Sequence, residues 1–70
     1  MRDHVPMTTA ERLLEQRGLN DSAVAAIRRD AWRGVSYSRH STAELAYVLR
    51  REPTGRRAVN LAAEIARRTA

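Results

Sequence analysis

The chain has 70 residues, no cysteine, and thirteen basic against eight acidic side chains, for a formal net charge of +5 and a pI near 11.3. That length carries one core and no second domain; disulfides and thiolate zinc sites are excluded, and His4 and His40 alone do not make a metal site. No run nears the ~18 apolar residues of a membrane span, and Met1-Arg2-Asp3-His4-Val5-Pro6 lacks a signal-peptide core, so a cytoplasmic protein without cofactors is expected.

Residues 1–7 read as a flexible arm and 8–70 as a single helical domain. The first helix opens at Thr8, because Thr8-Thr9-Ala10-Glu11 has the spacing of a capping box. Ala10, Leu13 and Leu14 form its apolar stripe. Gly18 stops it, with Leu19 placed to fold back on Leu14 in a Schellman-type closure. Asn20-Asp21-Ser22 opens the second helix, whose inward stripe is Val24, Ile27 and Ala31 with Ala23 on the flank. Gly34 ends that helix, and Trp32, one turn from its end, is expected to lid the core.

Residues 34–40 lack helical periodicity. Val35 and Tyr37 alternate with Ser36 and Ser38, which admits a short extended segment, but a loop fits better. Ser41-Thr42-Ala43-Glu44 is a second capping box. It opens a third helix with Leu45, Val48 and Leu49 inward, ending before Pro53. Thr54 is the expected N-cap of a fourth helix, with Ala58, Leu61, Ala62 and Ile65 on its core face. Four short apolar stripes joined by tight turns predict an all-α fold, a compact bundle of four short helices.

All thirteen basic residues are arginine. Two explanations stand side by side. Arginine and alanine have GC-rich codons, so the bias can record a genome's composition. The planar guanidinium is also the better fork for phosphate oxygens and base edges, and a basic balance favours an acidic partner, nucleic acid first.

Most of these arginines lie where a helix C-terminus favours cations: Arg17, Arg28, Arg29, Arg33, Arg50, Arg51, Arg67 and Arg68. Arg68 also follows Glu64 at i+4, an ordinary surface pair. Arg56 and Arg57 differ. They fall in the first turn of the fourth helix, where positive charge opposes the dipole. With Arg50 and Arg51 they put four arginines in the eight residues 50–57, a candidate phosphate grip at a helix N-terminus. A solvated turn partly neutralised by Glu52 is the plain alternative. Opposite the core stripe of the same helix lie Arg56, Asn60 and Arg67. Arginine to guanine and asparagine to adenine are common major-groove pairings, so Asn60 and Arg67 are candidates to face the groove.

Thr42-Ala43-Glu44-Leu45-Ala46-Tyr47-Val48-Leu49, followed by a turn and Ala58-Val59-Asn60-Leu61, resembles the helix-turn-helix pattern of bacterial regulators. Leu45, Ala46, Leu49 and Val59 match the slots at which that family packs the first helix of the motif against the recognition helix. Arg50 stands where the family usually has glycine, and Arg56 where it has an apolar residue. A second placement uses Gly18, Leu19, Val24 and Ile27. It has Leu14 at a small-residue slot, Arg17 at an apolar one, and Asp21, Ser22, Ala25 and Ala26 facing outward, which suits DNA less well. The resemblance implies DNA binding through the fourth helix.

Tyr47, opposite Leu45 and Leu49, reads as an outward aromatic that meets phosphate or a protein interface, or lies along Arg51. Trp32, Tyr37, Arg39 and His40 mix aromatic and basic groups that can stack unpaired bases; closing a small core accounts for Trp32 and one tyrosine equally. Ser36, Ser38, Ser41, His40 and Asp30 come with no nucleophile elbow, phosphate loop or carboxylate pair, so neither catalysis nor a small-molecule substrate is expected.

Two functions remain. The first is a small DNA-binding protein, a transcriptional regulator or an accessory factor of a phage or mobile element. Arg50, Arg51, Arg56 and Arg57 would grip duplex DNA while Asn60 and Arg67 face the groove, and a homodimer would supply the second half-site. The second is a helical module that binds a larger protein partner through Tyr47, Trp32 and the small flanks Ala25, Ala63 and Ala66.

Overall fold

The structure, a computed structural model, describes residues 9–70. The arm expected over 1–7 and the Thr8 cap lie outside the described residues. Four helices follow in chain order, α1 Thr9–Arg17, α2 Asp21–Arg33, α3 Thr42–Arg51 and α4 Arg56–Thr69, and no strand occurs among the described residues. The chain forms the all-α bundle that its stripes predict, and 34–40 is a loop. No helix among the described residues is long and apolar enough to cross a membrane.

Local chemistry places most helix ends. The Asn20 side chain accepts from the Ala23 N–H at 2.8 Å and starts α2. At α3 the capping box closes both ways: the Glu44 N–H donates to Ser41 Oγ at 3.1 Å, and the Ser41 N–H donates to Glu44 Oε1 at 2.8 Å. Each satisfies a donor that a helix start otherwise leaves open. Gly34 ends α2 in the left-handed region, φ +69°, with its N–H on the Asp30 carbonyl at 2.9 Å.

Gly34 also lies against α4. A Cβ there would meet Asn60 Nδ2 at 3.1 Å, and that nitrogen donates to the Ala31 carbonyl at 2.7 Å. Gly34→Ala therefore adds left-handed strain and pushes on the bond that ties α4 to the end of α2. We expect it to destabilise the fold by about 1–2 kcal/mol. Urea unfolding should show a lower midpoint at unchanged slope; an unmoved midpoint would refute the coupling.

The core is built around α3, which packs against each of the other helices. Leu45, Ala46, Tyr47 and Val48 are four consecutive buried residues, so α3 is covered on nearly every side. This corrects the outward placement of Tyr47, which is 7% exposed. α1 packs on the face of α3 that would otherwise meet water, and its terminal Gly18 has its Cβ position 3.7 Å from the Tyr47 hydroxyl. Ile27, Leu45, Val48 and Leu61 are the largest fully buried side chains, and Leu14, Leu19, Val24, Leu49 and Ile65 pack around them. Leu13, expected in the α1 stripe, is instead 41% exposed.

Two further expectations change. Tyr37, from the loop after α2, enters the core cluster, so Trp32 does not lid it and stands 52% exposed. α4 is rolled relative to its apolar stripe: Ala62 faces solvent, while Asn60, Glu64 and Arg68 turn partly inward beside Ala58, Leu61 and Ile65. The roll follows from polar bonds on that side of the helix, which hold it to α2 and to the 34–40 loop.

Candidate nucleic-acid interface

α4 begins one residue later than Thr54 suggests. Gly55 is the N-cap, at φ +101° and ψ −178°, and no side chain caps the helix. A positive φ at that position suits glycine and disfavours threonine. Arg56 and Arg57 are thus the first two residues of α4, whose first turn holds no acidic residue. The first backbone bond of the helix is Val59 N–H to Gly55 O, at 3.1 Å. The N–H groups of Arg56, Arg57 and Ala58 precede it and have no intrahelical acceptor. Two guanidiniums and a positive helix end share one place.

What holds them there is Trp32. Its indole lies under the Arg56 guanidinium at 4.5 Å and the Arg57 guanidinium at 5.6 Å from the ring centre, the range of cation–π attraction. Trp32 also lines an open cleft of about 500 Å³ with Ala25, Arg28, Arg29, Arg33 and Arg57. Positions 25, 28, 29 and 32 share one face of α2 by helical spacing. Five arginines, 28, 29, 33, 56 and 57, therefore surround one exposed tryptophan.

Only part of that charge is balanced. Glu52, at the C-cap of α3, takes Arg28 Nε at 2.9 Å and Arg57 Nη1 at 3.6 Å. Arg29 Nε is 3.9 Å from Asp30, whose carboxylate accepts His40 Nε2 at 2.8 Å. Among the described residues, Arg33 and Arg56 have no acidic partner. Glu52 thus neutralises part of the charge around Trp32 and would compete with an anion for Arg28 and Arg57. Glu52→Gln is expected to tighten binding of a labelled oligonucleotide about three- to tenfold at low salt. Weaker binding would show that Glu52 instead positions the two arginines.

The remaining sequence candidates are distributed elsewhere. Arg51 lies over the Tyr47 ring at 4.7 Å, so it attends a different aromatic from Arg56 and Arg57, and the eight-residue run is not one cluster. Arg50 is exposed. Asn60 does not face outward: its amide is engaged by the Ala31 carbonyl. Arg67 is outward but pairs with Glu64. Val59, the recognition-helix slot in the helix-turn-helix resemblance, is 68% exposed. The aromatic–basic mix at the central loop also divides. Tyr37 is buried, His40 binds Asp30, Arg39 is exposed, and Trp32 alone offers its ring.

Arg68 is the residue whose role the sequence concealed. Nε donates to Glu64 Oε2 at 2.8 Å, Nη1 to the His40 carbonyl at 2.9 Å and Thr42 Oγ1 at 3.2 Å, and Nη2 to the Tyr37 carbonyl at 2.9 Å. This is no ordinary surface pair; it ties the end of α4 to the 34–40 loop and to the start of α3. Arg28, Arg29 and Arg33 were legible as charges but not as a site. Their spacing around Trp32 was readable on one helix, whereas the α4 N-terminus across from them was not.

Among the described residues no cluster of His, Asp and Glu could hold a metal ion. In comparisons with family models, curated proteins and solved structures, nothing matches this chain.

Proposed function

We propose that this protein binds nucleic acid, DNA in the first instance, by holding the phosphate backbone against the basic face formed by the end of α2 and the start of α4. One observation carries the reading. Arg56 and Arg57 occupy the first turn of an uncapped helix, and Arg28, Arg29 and Arg33 converge on the same exposed Trp32. Positive charge at a helix start opposes the dipole by roughly 0.3–1 kcal/mol per residue, and a bound phosphate reverses the sign of that interaction. The grip is backbone-directed. Of the groups suited to base edges, Asn60 is engaged within the fold, and Arg67 is outward, paired with Glu64, about three turns along α4 from the Arg56–Arg57 end.

Labelled DNA, duplex and single-stranded, titrated across about 50 to 200 mM salt, tests this. Four or so phosphate contacts predict an affinity falling about a hundredfold over that range. No binding of either form at about 50 mM would end the proposal.

A second reading, a protein-interaction module, draws on the other side of α4. Val59, Ala62, Ala63 and Ala66 are exposed there, beside an apolar groove of about 460 Å³ lined by Leu49, Pro53, Ala58 and their neighbours. A small-residue helix face permits close packing of a partner helix. Light scattering on the same sample reads whether a second copy fills that role.

A further inference from the structure

Phosphate contacts account for the arginines but not for the tryptophan among them. Trp32 is the sole tryptophan of the chain and is 52% exposed. It is not needed to close the core, which Tyr37 does. Its ring opens into the cleft lined by Arg28, Arg29, Arg33 and Arg57, and Arg56 and Arg57 are held at it by their guanidiniums. The Arg56 guanidinium lies over the ring, so a nucleobase stacks either on the opposite face or in exchange for that guanidinium, while the adjacent charges take the flanking phosphates. The cleft volume, about 500 Å³, is in the range of sites that hold a small ligand group.

A duplex cannot use this surface fully. Its base faces are already stacked on one another, so Trp32 would reach one only after a base is unstacked. Nor does α4 offer a base-reading alternative. The exposed side of its middle is Val59, Ala62, Ala63 and Ala66, Asn60 is engaged by Ala31, and Arg67, paired with Glu64, stands about three turns from the cleft.

We propose that the α2–α4 cleft takes an unpaired base stacked on Trp32, which makes single-stranded nucleic acid the preferred ligand of this face. The inference rests on the phosphate-binding reading above and adds the strand state of the ligand.

The test uses the full chain and three probes at about 50 mM salt: an end-labelled oligothymidylate of about ten nucleotides, a mixed-sequence duplex of matched length, and a polyglutamate peptide. Binding is read by anisotropy, and Trp32 emission is followed in unlabelled titrations. The single strand should bind about tenfold or more tighter than the duplex and quench Trp32. Trp32→Leu should weaken single-strand binding about tenfold or more and duplex binding by a smaller factor, about threefold, because the leucine also removes the ring on which Arg56 and Arg57 rest. Trp32→Phe should retain part of the affinity and serve if the leucine variant folds poorly by circular dichroism. Equal or tighter duplex binding, indifferent to Trp32→Leu, would overturn base stacking and leave phosphate binding standing. No binding of either nucleic acid would remove both. Polyglutamate bound as tightly as the strand, with the same quenching, would make an acidic protein segment the ligand and overturn the inference.

Discussion

Arg68→Ala is expected to lower the unfolding free energy by about 2–4 kcal/mol, enough to unfold much of a domain this small at room temperature. The side chain makes four hydrogen bonds, one to Glu64 within α4, one to Thr42 at the start of α3, and two to main-chain carbonyls of the 34–40 loop. Truncation leaves the Tyr37 and His40 carbonyls without that donor, and part-buried acceptors in that state are costly. It also removes one of the two cations on Glu64. That carboxyl is held below its ordinary value by hydrogen bonds from Arg67 and then Arg68. The stability tied to Glu64 is therefore complete above the ordinary glutamate pKa and is lost as pH falls through the depressed one.

Arg68→Lys separates charge from geometry. An ammonium keeps the charge but cannot reach the Glu64 carboxylate, two carbonyls and a hydroxyl at once, as the planar fork does. It should recover only a minor part of the loss. Urea unfolding of the three proteins checks this, and a change below about 0.5 kcal/mol for the alanine variant would place Arg68 among the ordinary surface residues after all.

The second large effect belongs to binding. Arg56→Ala/Arg57→Ala should weaken DNA binding about ten- to a hundredfold at about 50 mM salt. The slope of log affinity against log salt should become shallower by nearly 2, about 0.9 for each contact removed. Stability should move by no more than about 1 kcal/mol. Relief from the helix dipole offsets the loss of packing on Trp32 and of the longer Glu52 contact. The contrast with Arg68 is the discriminating result. One arginine near the end of α4 should affect folding with little change in salt slope, and two at its start should do the reverse. A double variant that bound DNA with unchanged slope would remove the α4 N-terminus from the interface.

Local sequence determined where these helices begin and end. Asn20 reaches Ala23, Ser41 and Glu44 reach each other, and Gly34 returns to Asp30. Each of these interactions spans three or four residues, so it is written in a few adjacent letters. The same boundaries placed Arg56 and Arg57 in the first turn of α4, although the positive φ at Gly55 moved the cap from Thr54.

Tertiary structure alone decided which way each helix face points. Asn60 meets Ala31, and Arg68 meets Thr42 and Tyr37, across 26 to 31 residues of chain. Those bonds roll α4 away from the orientation its apolar letters favour, turning Asn60 and Arg68 inward and Ala62 out. α1 covers Tyr47, and the loop delivers Tyr37 to the place Trp32 was expected to fill. Periodicity shows that a helix has an apolar side; it does not show which polar residues on the margin will find partners from another helix. That choice left Trp32 exposed beside the arginines of α2 and α4.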